Sequence, residues 1–263
     1  MSRTVRDPLK RSLFLLSELV RRDLSVRYAG SFGGAAWALL NPLILCGLYS
    51  FVFSLIVRIP PPADFRGTYT EFLLAGLLPW IGMQDGLVRS ASAVTDQAHL
   101  VKKMSFPVGI LVVASLLSAL VLQAASLCVF GVLSGGFGAG EIHLLPLAVG
   151  FGFQALVLAG PAFALAATSV LFRDLAQLIG PLLTVVFYLT PILYPESLVP
   201  ARLAWALDAN PVRDVVGFFR AGLLGTEAPP AGRTLVWASV FAVLAFLGHR
   251  FFERSRKVFA DVL

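Results

Sequence analysis

Six long apolar stretches follow one another along the chain, separated by short segments that hold most of the polar residues. A helix needs roughly 20 apolar residues to cross a hydrocarbon core about 30 Å thick. Each stretch has, or nearly has, that length. The pattern predicts an all-α integral membrane protein with six transmembrane helices, at residues 35–57, 70–89, 108–133, 144–171, 175–193 and 234–249.

The first 34 residues have a different pattern, in which apolar positions recur at steps of three or four. Charged residues fill the rest of the helical wheel, which is typical of an amphipathic helix. Basic amphipathic helices lie along membrane surfaces, so we expect a cytoplasmic interface helix in residues 1–34. The alternative is a solvated helix that merely precedes the membrane. The apolar positions are Leu9, Leu13, Leu16, Val20 and Leu24.

Residues 194–232 contain many prolines and glycines and two short apolar pieces, 203–207 and 215–224. Neither piece is long enough to cross a bilayer. Non-helical backbone at membrane depth is tolerated only where protein or a water-filled cavity satisfies its polar groups. We therefore expect short re-entrant or gate helices between spans five and six.

A polar and basic island, TDQAHLVKKMSFP at residues 95–107, separates spans two and three. Leu100, Met104 and Phe106 offer apolar contacts, and the island also carries charged and hydrogen-bonding side chains. This mixture suits docking to a soluble protein better than immersion in lipid. The charged and hydrogen-bonding residues are Asp96, His99, Lys102 and Lys103.

The composition agrees with a membrane protein. Of the 263 residues 57% are hydrophobic and 14% are charged, whereas soluble domains carry about 25% charged residues. The net charge of +6 is spread between the spans and forms no single stripe, which argues against nucleic acid as a partner. It favours contact with anionic lipid headgroups.

The distribution of positive charge predicts the orientation. With the amino terminus inside, 15 of the 21 Lys and Arg residues fall on the cytoplasmic side and six on the other, as the positive-inside rule requires. Both termini, the island at 95–107 and a basic tail at 250–263 are then cytoplasmic. The segment 194–232 faces outward.

Several kinds of chemistry are not supported by the residue types. None of the four lysines belongs to a Gly-Lys-Ser/Thr phosphate loop, and the three histidines are too scattered to suggest a metal site. Few ionisable residues lie within or beside the spans, and Asp85 with Arg89 has the spacing of a helical ion pair. The absence of a buried acidic or histidine chain argues against a proton-coupled carrier. Energy for any transport is expected from another chain.

Aromatic residues at membrane depth give a positive signal. Their rings can stack on sugar faces and their polar tips can bond hydroxyl groups, as a path for an amphipathic polymer would require. The alternative is a membrane-interface belt or ordinary helix packing. The residues concerned are Trp37, Tyr49, Phe51, Phe53, Trp80, Phe187, Tyr188 and Tyr194.

Six motifs in this order and spacing carry a family resemblance over nearly the whole chain: RYAGSFGGAAWALLNP, FLLAGLLPW, HLVKKMSFP, LFRDLAQLIGPLL, FYLTPILYP and ANPVRDVVGFFR. They resemble the type-two ABC exporter permeases of O-antigen, capsule and teichoic-acid export. The resemblance implies a homodimeric permease in the bacterial inner membrane that binds two copies of a separate ATPase and exports a lipid-linked polysaccharide. This chain would be no enzyme and would hold no cofactor, because ATP and Mg²⁺ would bind the partner.

The resemblance also assigns roles to matching positions. It implies an interface helix over Leu9–Tyr28, a six-span permease domain over residues 35–263, and outward gate helices over Tyr194–Leu224. The interface helix would include Arg21, Arg22, Arg27 and Tyr28. Contacts that couple the permease to the ATPase would be made by Ala98, His99, Leu100, Val101, Lys102, Lys103, Met104, Ser105, Phe106, Arg173 and Asp174.

In this family the translocation path lies at the dimer interface, formed largely by spans one and five. That implies a path beside Tyr49, Phe53, Trp80, Phe187, Tyr188 and Tyr194. Three alternatives to polysaccharide export stay open at this point. They are a permease for a drug or lipid, export of a teichoic-acid precursor in a Gram-positive cell, and a membrane enzyme or scaffold without transport.

Overall fold

The computed structural model describes residues 8–27, 36–62, 65, 67–103, 107–133, 142–172 and 174–263. All regular structure in these ranges is helical, as the sequence predicts. The helices are α1 (Pro8–Val26), α2 (Ala36–Ser50), α3 (Tyr69–Ser92), α4 (Ala98–Lys103), α5 (Gly109–Leu133), α6 (Leu144–Leu171), α7 (Leu175–Leu189), α8 (Ala204–Asp208), α9 (Pro211–Leu224) and α10 (Ala231–Val262).

Each of the six predicted apolar stretches contains one long helix. By length and hydropathy, three segments of the described chain are able to span a membrane: Gly109–Val132, Leu144–Leu171 and Ala231–Phe259. Two shorter apolar helices occupy Leu40–Ile56 and Leu175–Leu189. The first of these joins α2 to a π-helical turn at Phe51–Ile56, a form of helix that often occurs at functional sites.

The amphipathic pattern of residues 1–34 produces α1, and part of its apolar face lies toward the bundle. Leu16, Val20 and Leu24 face Leu117 and Val121 of α5 across a shallow groove. The helix that was expected on the membrane surface therefore also packs against a membrane helix.

Two helices end at residues other than the ends of the spans predicted for them. α7 ends at Leu189 rather than residue 193 because Thr190 is extended, with ψ 136°, as the residue before a proline prefers. α10 continues to Val262, so the basic tail predicted after residue 249 is a continuation of the last helix. Phe252 and Phe259 stabilise this extension because they lie on the same face of α10 and both are fully buried.

α3 and α6 form the centre of the bundle. α3 contacts α5, α6 and α9 and is buried over most of its length, from Phe72 to Met83. α6 packs along α10 with very close backbone contact, because a Cβ atom on Gly160 would lie 2.6 Å from the carbonyl carbon of Leu244. Small residues allow such close approach of membrane helices.

Local sequence signals fix the starts of α3 and α9 and the end of α9. Thr68 and Glu71 form a capping box at the first turn of α3, so Glu71 has a structural partner there. The Asn210 side chain accepts a hydrogen bond from Val212 N–H and Pro211 is the first residue of α9. Gly225 ends α9 in a left-handed conformation with φ 66°.

Candidate functional site

The predicted path aromatics form one connected cluster around Phe187 of α7. The Phe187 ring centroid is 5.6 Å from that of Trp80 on α3 and 6.1 Å from that of Tyr49 on α2. Tyr49 is in turn 6.1 Å from Phe53, which lies in the π-helical turn. Three separate segments of the sequence therefore meet at this point.

The two tyrosines after Phe187 complete the cluster. The Tyr188 ring centroid is 5.2 Å from that of Phe187, and the Tyr194 hydroxyl donates a hydrogen bond of 3.0 Å to the Tyr188 carbonyl. All six aromatics that the resemblance assigned to the path are thus joined by contacts.

Burial separates these residues into two groups. Trp80 and Phe187 are 3% and 6% exposed, so they support the cluster from within the bundle. Tyr188 is 58% exposed, and Tyr49, Phe53 and Tyr194 are half-buried. Of these six aromatic residues, Tyr188 is the most exposed to a molecule outside the chain.

The turn after α7 is held by side chains that the sequence analysis missed. The Arg220 guanidinium of α9 donates to the carbonyls of Pro191 and Ile192 at 2.8 and 3.0 Å. The Tyr69 hydroxyl of α3 donates to the Leu193 carbonyl at 2.5 Å. The signal for Arg220 was its spacing of four from the apolar Val216, which puts both residues on the buried face of α9.

An ionic network stabilises the segment 194–232 around Arg213. Its guanidinium donates to Glu196 and Asp208 at 2.6 Å each. Burial disfavours the charge of Arg213, but the hydrogen bonds and attraction from Glu196 and Asp208 outweigh this, so its pKa is raised. Arg233 of α10 bonds both Asp208 and the buried Asp214. The network therefore joins the end of α8 to the first turns of α9 and α10.

α4 lies within the predicted coupling segment, residues 95–107. His99 and Lys102 are exposed, whereas Ala98, Leu100 and Val101 are half-buried. A cavity of about 310 Å³ lies beside α4, between Thr95, Ala98, Ser169 and Leu263. Asp174, the other described coupling residue, is exposed just before α7. The side chains of Lys103, Met104, Ser105, Phe106, Arg173 and Tyr28 lie outside the described residues.

The predicted interface-helix arginines have different surroundings. Arg21 and Arg22 are exposed, but the Arg27 side chain is only 4% exposed and lies 2.8 Å from Asp85 of α3. The expected pair between Asp85 and Arg89 is confirmed by a hydrogen bond of 2.9 Å. Asp23 approaches both arginines, at 3.5 and 3.8 Å. These four residues form an ionic cluster between α1 and α3.

A buried amide pair, also missed from the sequence, joins α5 to α6. Gln123 and Gln154 exchange two hydrogen bonds of 2.9 and 2.6 Å, and both are almost fully buried. Gly82 of α3 makes room for this pair, because a Cβ atom there would overlap the Gln123 side chain. Single glutamines in otherwise apolar spans were the available signal, since polar groups in membrane helices bond to one another.

Residues 15–224 match the ABC-2 type transporter family, and the chain belongs to this family. It is thus a membrane component of a transporter, which confirms the resemblance drawn from the motifs. Among similar proteins, an O-antigen export system permease protein RfbA of Myxococcus xanthus is 33% identical over 252 residues, 94% of each chain. A protein of the same name from Klebsiella pneumoniae is 26% identical over 260 residues, 95% of each chain.

Proposed function

We propose that this protein is the permease subunit of an exporter that moves a lipid-linked, O-antigen-like polysaccharide across the bacterial inner membrane. The observation that carries the proposal is the family match together with similarity, over 94% of the chain, to a permease named for O-antigen export. The connected aromatic cluster supports it, because aromatic rings suit contact with sugar faces.

The exporter is a homodimer in which each chain contributes six spans, α2, α3, α5, α6, α7 and α10. Exposed apolar faces on α2 and α7 support this arrangement, since these helices are joined through Tyr49 and Phe187 and need a cover of lipid or protein. The path runs between the two chains beside the aromatic cluster. The exposed residues include Ile44 and Leu48 of α2, Phe51 at the start of the π-helical turn, and Leu178, Leu182 and Val185 of α7.

The driving force comes from two copies of a separate ATPase, which bind ATP and Mg²⁺. Residues 95–107 dock in the ATPase, and Arg173 and Asp174 make a second contact. The exposed His99 and Lys102 on α4 support this assignment because they are available to a soluble partner. ATP-driven closure of the partner would then move the bundle from its cytoplasmic side.

The proposed orientation places both termini in the cytoplasm. Residues 1–34 form the interface domain and residues 35–263 the permease domain. The segment 194–232 is the outward gate, and its ionic network supports a defined structure for it. The basic residues of 250–263 lie on the cytoplasmic end of α10.

The coupling role is tested by replacing Lys102, Lys103 and Met104 together with alanine. We expect the variant to reach the membrane but to lose coupling between ATP hydrolysis and export when co-expressed with its ATPase. The exposed Lys257→Ala on α10 is the control and should behave as wild type. Unaltered coupling in the triple variant would show that residues 95–107 are not the lever.

The cargo is tested by deleting the gene and measuring surface polysaccharide and its lipid-linked precursor. Loss of the surface polymer with accumulation of the precursor on the cytoplasmic side is the expected result. Normal surface polysaccharide, together with increased sensitivity to a drug or a change in lipid distribution, would identify a drug or lipid permease instead.

A further inference from the structure

The polypeptide that links α7 to the outer segment is bound by two other helices. Arg220 of α9 bridges two successive carbonyl groups, at Pro191 and Ile192, and Tyr69 of α3 binds the next one, at Leu193. Asn210 adds a hydrogen bond of 2.8 Å to the Thr190 hydroxyl. Residues 190–193 are therefore held by three side chains from outside α7.

Arg220 is unusual because its charge is buried and forms no ion pair with a described residue, although Glu196 attracts it from a greater distance. The residue is 7% exposed, and none of the ion pairs among the described residues includes it. Its guanidinium carbon lies 3.6 Å from the centroid of the Phe72 ring, a close cation–π contact. Burying a charge is unfavourable unless the contacts that surround it have excellent geometry. The position of Arg220 therefore depends closely on the contacts that it makes here.

The surroundings of Arg220 suit a guanidinium better than a lysine ammonium, although its Nε has no hydrogen-bond partner among the described residues. Its planar fork matches two neighbouring carbonyl oxygens, and its flat face stacks on an aromatic ring, which a lysine ammonium does not reproduce. Gly76 provides the space, because a Cβ atom there would lie 3.0 Å from Arg220 Nη2 and 3.1 Å from Val216 Cγ1. The site thus depends on residues from α3, α9 and the turn.

This turn connects the two tyrosines at the outer end of the aromatic cluster. Tyr188 precedes it and Tyr194 follows it, and the Tyr194 hydroxyl bonds the Tyr188 carbonyl across it. We propose that Arg220, assisted by Tyr69, is a positioning residue of the translocation path, because it sets the turn that orients Tyr188 and Tyr194. The proposal rests on the proposed function of the cluster.

The same contacts connect the path to the outer gate segment. α9 binds the polypeptide after α7 at two places, through Arg220 at the turn and through Arg213 at Glu196. A displacement of α9 therefore carries Tyr194 with it. Opening of the segment 194–232 and reorientation of Tyr188 and Tyr194 would therefore occur together.

The experiment compares Arg220→Lys, Arg220→Met and Tyr69→Phe with the exposed Arg202→Met as the control in the same outer region. Full-length protein is co-expressed with its ATPase and labelled with 3-fluorotyrosine. The chain has five tyrosines, and their fluorine resonances are assigned by single phenylalanine substitutions. Export and ATP hydrolysis are measured on the same variants.

We expect Arg220→Lys and Arg220→Met to shift or broaden the Tyr188 and Tyr194 resonances and to reduce export at least tenfold. Tyr69→Phe, which keeps the ring, should give a smaller change of the same kind, and Arg202→Met none. Arg220→Lys and Tyr69→Phe provide the test if Arg220→Met does not accumulate in the membrane.

Unchanged Tyr188 and Tyr194 resonances in Arg220→Lys would overturn the proposal whatever the export rate. Normal export together with unchanged resonances in Arg220→Lys would show that a positive charge alone is sufficient at this position. The spectra do not depend on the cargo. Shifted tyrosines without a polysaccharide defect would therefore contradict the proposed function and leave the positioning by Arg220 intact as a structural fact.

Discussion

Arg27, the residue directly after α1, and Asp85 of α3 approach to 2.8 Å although 58 positions separate them in the sequence. Asp85 also accepts a hydrogen bond from Arg89, so this one carboxylate is paired with two arginines. A second carboxylate, Asp23, lies near the same two arginines. α1 is thus attached to the bundle by charge as well as by its apolar face.

Loss of the Asp85 charge should loosen α1. We expect Asp85→Asn to destabilise the protein by about 1–3 kcal/mol, because the buried Arg27 guanidinium loses its principal counter-charge. The double variant Arg27→Gln with Asp85→Asn should cost less than the sum of the single changes. Thermal unfolding in detergent measures these values, with the exposed Arg22→Gln as the control. Strict additivity would show that the two residues do not interact.

The close contact between α6 and α10 should tolerate no side chain at Gly248. A Cβ atom there would overlap backbone atoms of Gly160, so Gly248→Ala should destabilise the protein by roughly 1–3 kcal/mol. Gly152→Ala is the matched control, since no heavy atom lies within 4 Å of its added Cβ. Equal melting temperatures for the two alanine variants would contradict the packing described.

The buried glutamine pair should contribute through its mutual hydrogen bonds. Gln123→Leu leaves the Gln154 amide unpaired and should cost about 0.6–2 kcal/mol. Adding Gln154→Leu should recover part of this loss, because neither helix then buries an unsatisfied polar group. A double-mutant cycle of unfolding free energies gives the coupling. If the double variant loses as much unfolding free energy as the two single variants together, the two side chains do not stabilise the protein by bonding to each other.

Bulk placed beside Tyr188 should obstruct the path. Thr184 is exposed one helical turn before Tyr188 on α7, so Thr184→Trp should reduce export severalfold while leaving the amount of folded protein unchanged. Ser239→Trp, at an exposed position of α10, is the control. Normal export by Thr184→Trp would remove this face of α7 from the path.

The positions of the helices were largely predictable because apolar runs have a length that the membrane fixes. α6 begins and ends at the predicted residues, 144 and 171. The extension of α10 was missed because its charged residues hide a buried face at Phe252 and Phe259, seven residues apart. The helical spacing of Phe252 and Phe259 indicated a buried face in this segment, whereas the hydropathy of the segment did not.

Contacts within one helix were also predictable, whereas contacts between helices were not. The pair of Asp85 and Arg89 followed from a spacing of four. The approach of Arg27 to the same carboxylate depends on how α1 packs, and no local pattern encodes that. The aromatic cluster lies between these cases, because the resemblance proposed its members and the packing of α2, α3 and α7 brought them together.

The unbroken length of α10 makes bilayer thickness a mechanical variable for this protein. Its 32 residues measure about 48 Å, well beyond a hydrocarbon core of roughly 30 Å. A thinner or thicker bilayer changes the tilt of such a long helix, and the residues at its end are displaced most. Because α10 contacts α4, lipid composition alone would alter the position of α4, the helix that we propose as the docking site for the ATPase.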